Sequence, residues 1–314
     1  MDSAQASISH SSGEQEDAHA RLFAYILARK SVVEEMLERF LPPVTQRPER
    51  LHEAMRYSVL NGGKRLRAVL CFAAAEAVKG QELQGDSLMP TACALEIMHC
   101  SSLICDDLPA LDNSPLRRGV PTCHVEFGEA TAILAQTSLI ALTYSLLSRQ
   151  AVLTPEVDTA ALISLISDAG MRMVAGESED LRLEGQRFEL PDVEFIHDNK
   201  TGALIRVSLL AGAIVAGADA HQQERLVRYA DALGLAFQIV DDLLDEEGDA
   251  AVLGKPVGAD QARVKPTFVR LFGVQASRQL AIRKVEEALE AVQAFGERAE
   301  PLRWIARYVL ARDR

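Results

Sequence analysis

Aromatic residues are scarce in this 314-residue chain, at 5%, with a single tryptophan. No alternating run of Val, Ile, Thr or Tyr bounded by turn residues occurs, so an all-β fold has no strands to build from. Cysteine is sparse: Cys71, Cys93, Cys100, Cys105 and Cys123 are the five, and none forms a Cys-x-x-Cys pair. An odd count without paired spacing argues against a disulfide framework and against a zinc site. Cys93, Cys100 and Cys105 lie in apolar helical pattern and read as reduced core thiols, which fits a cytoplasmic protein. Basic charge is in deficit, with 33 Lys and Arg against 45 Asp and Glu and a net charge of −12. Such a surface does not displace counterions from nucleic acid or adhere to anionic lipid. Long hydrophobic runs are missing as well. The most apolar long segment, 203–220, is interrupted by Arg206 and is short for a bilayer, so it reads as a buried helix and no transmembrane segment is expected. Residues 1–20 have neither the basic start nor the apolar stretch of a secretory signal. Their Ser, Gln, Glu and Asp content predicts a disordered segment, leaving 21–314 as one domain.

What the chain does have is helical periodicity. Apolar residues recur at helical spacing from Arg21 to Phe40, where Pro42-Pro43 ends the run. Similar patterns fall at 50–60, 65–79, 88–107, 126–149, 157–182, 192–218, 221–248, 263–272, 275–295 and 300–312. The breaks between them, such as Asn61-Gly62-Gly63 and 113–121, are turn-like, and none resembles an interdomain linker. The fold class is therefore all-α, a single helical bundle.

Two acidic clusters end apolar helical patterns: Asp106-Asp107-Leu108-Pro109-Ala110-Leu111-Asp112 and Asp241-Asp242-Leu243-Leu244-Asp245. Helical bundles build metal sites from such groups on facing helices. In the second cluster, Gln238, Asp241 and Asp245 share one helix stripe, while Asp242 sits about 100° away and plays a supporting part. Carboxylates beside Ile239, Val240, Leu243 and Leu244 fit either a solvated face or a hard cation such as magnesium, which takes one or two carboxylates plus waters and phosphate oxygens. In the first cluster, a regular helix would set Asp106 and Asp112 about 240° apart in projection. Pro109 disrupts the ladder, so a local bend can return Asp112 to Asp106, though 112–115 is also ordinary turn chemistry.

Basic residues flank these acids. Arg117-Arg118 follow the first cluster, Lys255 and Lys265 follow the second, and Gly62-Gly63-Lys64-Arg65-Leu66-Arg67 opens a helix whose freed N–H groups suit an anion. Together they suggest a polyphosphate held by magnesium and by Lys and Arg. His99 lies on the Asp106 stripe through Ser102, about 10 Å along the helix, either as a buried hydrogen-bonded side chain or as a second anion contact.

In their order along residues 45–312, these segments resemble the trans-isoprenyl diphosphate synthases, the farnesyl and geranylgeranyl diphosphate synthase family. Leu116-Arg117-Arg118-Gly119, Phe127-Gly128-Glu129-Ala130, Lys200-Thr201-Gly202-Ala203-Leu204, Phe237-Gln238 and Gly254-Lys255 add to the match. The resemblance implies an all-helical isoprenoid-synthase bundle, both Asp clusters at the mouth of a deep apolar pocket, and a homodimer. It implies that Asp106, Asp112 and Asp241 hold three magnesium ions, with Asp107, Asp242 and Asp245 in support. Arg117, Lys200, Thr201, Gln238, Lys255 and Lys265 would contact the allylic substrate (dimethylallyl, geranyl or farnesyl diphosphate) or its diphosphate. Lys64, Arg67, His99 and Arg118 would bind isopentenyl diphosphate. Of these, Asp106, Asp112, Asp241, Arg117, Lys200 and Lys255 would serve catalysis, which joins the two substrates head to tail.

The position five before Asp106 is often an aromatic floor in farnesyl-producing bacterial relatives. Here it is Ser101, followed by Ser102, which favours a C20 product over C15 unless Phe127 or Met98 supplies the floor. Ala68, Cys105, Gln136-Thr137 and Gly176-Glu177 depart from the family pattern, where Pro, His, Gly-Asp and Gly-Gln are usual, and Glu177 adds a carboxylate near the pocket. Farnesyl diphosphate synthase is the alternative reading. A partner subunit of a heteromeric synthase fits less well because both clusters are intact, and a terpene cyclase because its second metal motif differs.

Overall fold

The structure, a computed structural model, describes residues 2–80, 86–247 and 265–312. The described residues form helices α1 (Asp2–Phe40), α2 (Glu49–Leu60), α3 (Leu66–Lys79), α4 (Met89–Asp106), α5 (Cys123–Phe127), α6 (Glu129–Leu153), α7 (Thr159–Leu183), α8 (Leu190–His197), α9 (Ala203–Val215), α10 (Ala220–Glu247), α11 (Phe268–Phe272), α12 (Val274–Ala291) and α13 (Glu300–Ala311). The helical backbone of α1 begins at Asp2 rather than Arg21. Residues 1–20 contain no proline and one glycine, Gly13, so little in them breaks a helical ladder.

Most boundaries follow the sequence periodicity, and the departures have local causes. The pattern at 126–149 divides into α5 and α6 at Gly128, whose φ of 86° suits glycine. The pattern at 192–218 divides into α8 and α9 around a π-helical turn at Asp198–Gly202. One pairing of extended chain appears among the described residues, β1 (Leu116–Arg117) antiparallel to β2 (Val120–Pro121). Its two-residue loop is Arg118-Gly119, with φ of 55° and 80°, the left-handed pair that a tight hairpin requires.

α4 is almost wholly buried and packs between α3 and α6. One apolar cluster gathers α2, α4, α6 and the start of α7, and a second gathers α10, α12 and α13. α3 and α9 contribute opposite faces to both clusters and so join them. They cross at Gly212, where any Cβ would collide with the Cys71 carbonyl. The helices thereby bring the end of α4, the middle of α7, the π turn and the end of α10 to one end of the bundle.

Candidate active site

Asp106 is the last residue of α4. Beyond it the chain folds back as Pro109 requires: the Asp112 N–H donates to the Asp106 carbonyl at 2.9 Å and the Asn113 N–H to the Leu108 carbonyl at 3.0 Å. Asp112 thus returns beside Asp106, as the sequence predicts. Asp107 points elsewhere. It is 3% exposed and receives a two-pronged contact from Arg117, with Nε 2.9 Å from each carboxylate oxygen and Nη2 2.7 Å from Oδ1. Its structural part is to hold the Arg117 guanidinium at the rim.

Arg118, next along the hairpin, lies flat on Gly63, where a Cβ would meet its Cζ at 2.7 Å. It donates to Asn61 Oδ1 at 2.9 Å and to the Gly62 carbonyl. The Gly62-Gly63 pair therefore admits a guanidinium. Lys64 donates to the Tyr308 hydroxyl at 2.9 Å and stands over that ring. Ala68, where the family pattern has Pro, uses its extra N–H by donating to Glu96 Oε1 at 3.0 Å.

On the opposite side, the π turn presents Lys200 and Thr201. α7 approaches this turn at Gly176, where a Cβ would collide with the Lys200 backbone nitrogen. Lys200 Nζ lies 2.6 Å from Glu177 and 2.7 Å from Asp180. Lys265 Nζ lies 3.5 Å from Asp180 and 3.6 Å from Asp112, so it links the first Asp cluster to α7. Burial alone would depress the Lys200 ammonium, but Asp180 and Glu177 hold it above its ordinary range. Burial would raise Asp180, yet Lys200 and Lys265 hold it below the usual carboxylate range. Asp106 is pushed up to about 7, first by burial and then by the Glu177 charge.

In the second cluster the aspartates divide. Asp241 remains 42% exposed at its side chain and pairs with Arg312 at 2.8 Å. Asp242 is buried, accepts the Phe268 N–H at 2.8 Å and faces His197 at 3.6 Å, so it pins the start of α11. Asp245 is buried as well. Gln238 contacts His197 at 3.3 Å. Lys255 lies outside the described residues. Arg312 escaped the sequence reading. It is 8% exposed, stacks on Phe237 at 3.7 Å and donates to the Phe237 carbonyl at 2.6 Å. A terminal arginine carries no pattern that would single it out.

Two cavities meet here and share Arg67, His99 and Leu103 as walls. The larger, about 730 Å³, has Asp106, Glu177, Lys200 and Thr201 at its mouth and descends along Ser102, Ser101, Met98, Ile140, Gly170, Met173 and Leu204. Tyr144 and Ser167 lie at its lower end, with 3.1 Å between their hydroxyls. Ser101 and Ser102 turn their hydroxyls to the α4 carbonyls of Met98 and His99, at 2.7 and 2.9 Å, so they present small walls. Phe127 lies outside this cavity, against Tyr57 and Arg50. The smaller, about 430 Å³, is lined by Lys64, Arg65, Arg67, Arg117, Arg118 and Arg312 among others. His99 Nδ1 is buried without a hydrogen-bond partner. Burial, and then Arg67 and Arg118, keep its imidazole well below its ordinary pKa and hence neutral.

The donor set suits magnesium. Asp106, Asp112 and Asp241 offer hard oxygens, and the raised Asp106 shows a buried carboxylate short of positive charge. Among the described residues no three His, Cys, Asp or Glu converge on one point, so an ion there would take its remaining ligands from water or from phosphate oxygens.

Residues 48–301 match the polyprenyl synthetase family model. The chain is 39% identical over 298 residues to a geranylgeranyl diphosphate synthase of Cyanophora paradoxa, covering 93% of this chain and 97% of that one. Among solved structures, an apo FPP/GFPP synthase from Zymomonas mobilis superimposes with a TM-score of 0.81 at 34% identity, over 93% of this chain and 99% of that one. A geranylgeranyl pyrophosphate synthetase from Pyrococcus horikoshii does so at 0.82 and 27% identity, over 93% and 99%.

Proposed function

This chain belongs to the polyprenyl synthetase family, prenyltransferases that work with divalent metal on isopentenyl and allylic diphosphates, and from that premise we propose that it builds geranylgeranyl diphosphate. The observation that carries the reading is the pair of joined cavities, one apolar and capped by carboxylates and Lys200, the other lined by cations.

The allylic tail fills the apolar cavity, with its diphosphate at Lys200, Thr201, Lys265 and Arg117. Asp106, Asp112 and Asp241 would hold three magnesium ions, which when bound would supply charge that stabilises the leaving diphosphate. Lys200 and Lys265 match part of the same developing charge, and Arg117 stays aimed by Asp107. Isopentenyl diphosphate lies in the basic cavity, where Lys64, Arg67 and Arg118 hold its diphosphate and neutral His99 donates a hydrogen bond. Its double bond is thereby placed beside the allylic carbon, which it attacks as the carbon–oxygen bond breaks. The apolar walls keep water from the cation. A proton then leaves the new unit for an oxygen of the departing diphosphate, so no protein nucleophile is needed.

Cavity depth supports the product length. Met98 is eight residues below Asp106 and Ser167 ten below Glu177, about 12 to 15 Å along their helices. An extended chain gains roughly 1.2 Å per bond, so a four-carbon isoprene repeat spans about 5 Å. Three units fit above the Tyr144–Ser167 floor. A C15 primer enters and is extended, and a C20 tail is too long to re-enter. Farnesyl diphosphate as sole end product, measured by mass from the purified protein with isopentenyl diphosphate and magnesium, would contradict this.

A homodimer completes the reading. α6 is long and apolar enough to cross a membrane by length and composition, and only a third of its most apolar stretch is buried. Its outer face exposes Ile133 and Leu134, with the latter 58% exposed, and a second copy would cover them. Sedimentation at twice the chain mass tests this, and a monomer at micromolar concentration contradicts it. Cytoplasmic residence is proposed on the free thiols alone.

A further inference from the structure

Glu177 stands where the family pattern has glutamine, and the structure gives that difference a physical consequence. Its carboxylate lies 2.6 Å from Lys200 Nζ, opposite Asp180 at 2.7 Å, so one ammonium is held by two carboxylates. Glu177 also shares the cavity mouth with Asp106. The elements around this point contribute charge: Asp106 from the end of α4, Asp112 from the turn after it, Glu177 and Asp180 from α7, Lys200 from the π turn, and Lys265 before α11. The carboxylates outnumber the ammoniums. Arg117 adds little because Asp107 already neutralises it. A neutral side chain at 177 would leave Lys200 bound to Asp180 alone and the mouth one negative charge poorer.

We propose that Glu177 is a positioning residue that imposes a metal-first order on the allylic site, by sequestering Lys200 from a bare diphosphate and by drawing divalent cations to the mouth. A diphosphate that arrives without metal meets net negative charge and a lysine already engaged on two sides. With divalent ions bound at the carboxylates, Glu177 would loosen its hold on Lys200, which would then turn to the diphosphate. The inference rests on the prenyltransferase reading for what the mouth binds, but its test does not need turnover.

Glu177→Gln is nearly isosteric, so it changes the charge and spares the packing. Two affinities are measured by calorimetry on the full chain: inorganic pyrophosphate in the presence of EDTA, and Mn2+ without diphosphate. Removing one negative charge within a few ångströms of the ligand is expected to tighten metal-free pyrophosphate binding about tenfold and to weaken Mn2+ binding by a similar factor. Glu177→Asp keeps the charge and is expected to stay within about threefold of the parent in both. The KM for the allylic substrate in Glu177→Gln is expected to become less dependent on magnesium concentration, a change that mere loosening of the fold would not produce. Unchanged affinities in Glu177→Gln, with a melting curve like the parent's, overturn the proposal. So does Glu177→Asp behaving like Glu177→Gln. A parent enzyme that condenses its substrates while these affinities stay put sinks this inference alone. A parent that makes no prenyl product sinks the functional reading, whatever the calorimeter shows.

Discussion

Tyr144→Ala tests the depth argument at its base. Tyr144 sits on one stripe of α6 with Gln136 and Ile140, four residues apart at each step, and its hydroxyl meets Ser167 of α7 at 3.1 Å. The next residue inward on α6 is Leu147, which is fully buried. Removing the ring opens the cavity by about one helical turn, roughly 5.4 Å. That equals about one isoprene unit, since four carbons at about 1.2 Å per bond span roughly 5 Å. The expected product is therefore one unit longer, C25 in place of C20. Tyr144 is only partly buried, so truncation is expected to cost roughly 2 kcal/mol, about half the loss for a fully buried aromatic. Tyr144→Phe keeps the ring and loses one hydrogen bond worth about 1 kcal/mol, and it is expected to keep the C20 product. Ser101→Phe acts in the opposite sense by inserting a ring part-way down, and is expected to stop synthesis at C15. The assay is mass analysis of products at fixed substrate ratio. An unchanged C20 product from a folded Tyr144→Ala would refute the floor assignment.

Other substitutions test the mouth. Asp241→Ala is expected to cut turnover by several orders of magnitude while leaving the circular dichroism melt intact, because the side chain is nearly half exposed and pairs only with Arg312 in the described structure; near-normal turnover would refute its metal role. Asp106 has a folded pKa near 7, above its unfolded value, so the metal-free fold loses stability as pH rises from about 4 to 7. Asp106→Asn is thus expected to raise the metal-free melting temperature at pH 8, and to lose that advantage as pH falls through this window; an equal difference at pH 4 and pH 8 would contradict it. Gly176→Ala is expected to displace the π turn, since its Cβ would collide with the Lys200 backbone, and to raise the KM for the allylic substrate with little change for isopentenyl diphosphate.

The features that could be read from sequence were those with local causes. Pro109 announced the bend that returns Asp112 to Asp106, and the acidic clusters marked both helix ends. Helical class followed from periodicity because most of the helices bury one stripe and expose another. What escaped depended on long-range packing. The separation of Asp107 from Asp106 arises because Arg117 comes back on a two-residue hairpin, too short to leave an alternating pattern. The π turn that presents Lys200 packs against α7 at Gly176, a close approach between segments far apart in sequence. Asp242 read from sequence as a supporting neighbour of Asp241, and its acceptance of the Phe268 N–H, a contact spanning 26 residues, left no local pattern to read. The lining that α6 and α7 add to the larger cavity, Tyr144 and Ser167 among it, carries no local pattern, because three helices meet there.

The most direct test of the central claim is a chain-length measurement on the unmodified protein. Purified enzyme is incubated with magnesium, isopentenyl diphosphate and, separately, dimethylallyl, geranyl or farnesyl diphosphate, and the products are read by mass. The account predicts that all three primers converge on geranylgeranyl diphosphate and that no product forms when magnesium is removed. Farnesyl diphosphate as the sole end product, or a hydrocarbon released without consumption of isopentenyl diphosphate, would contradict it.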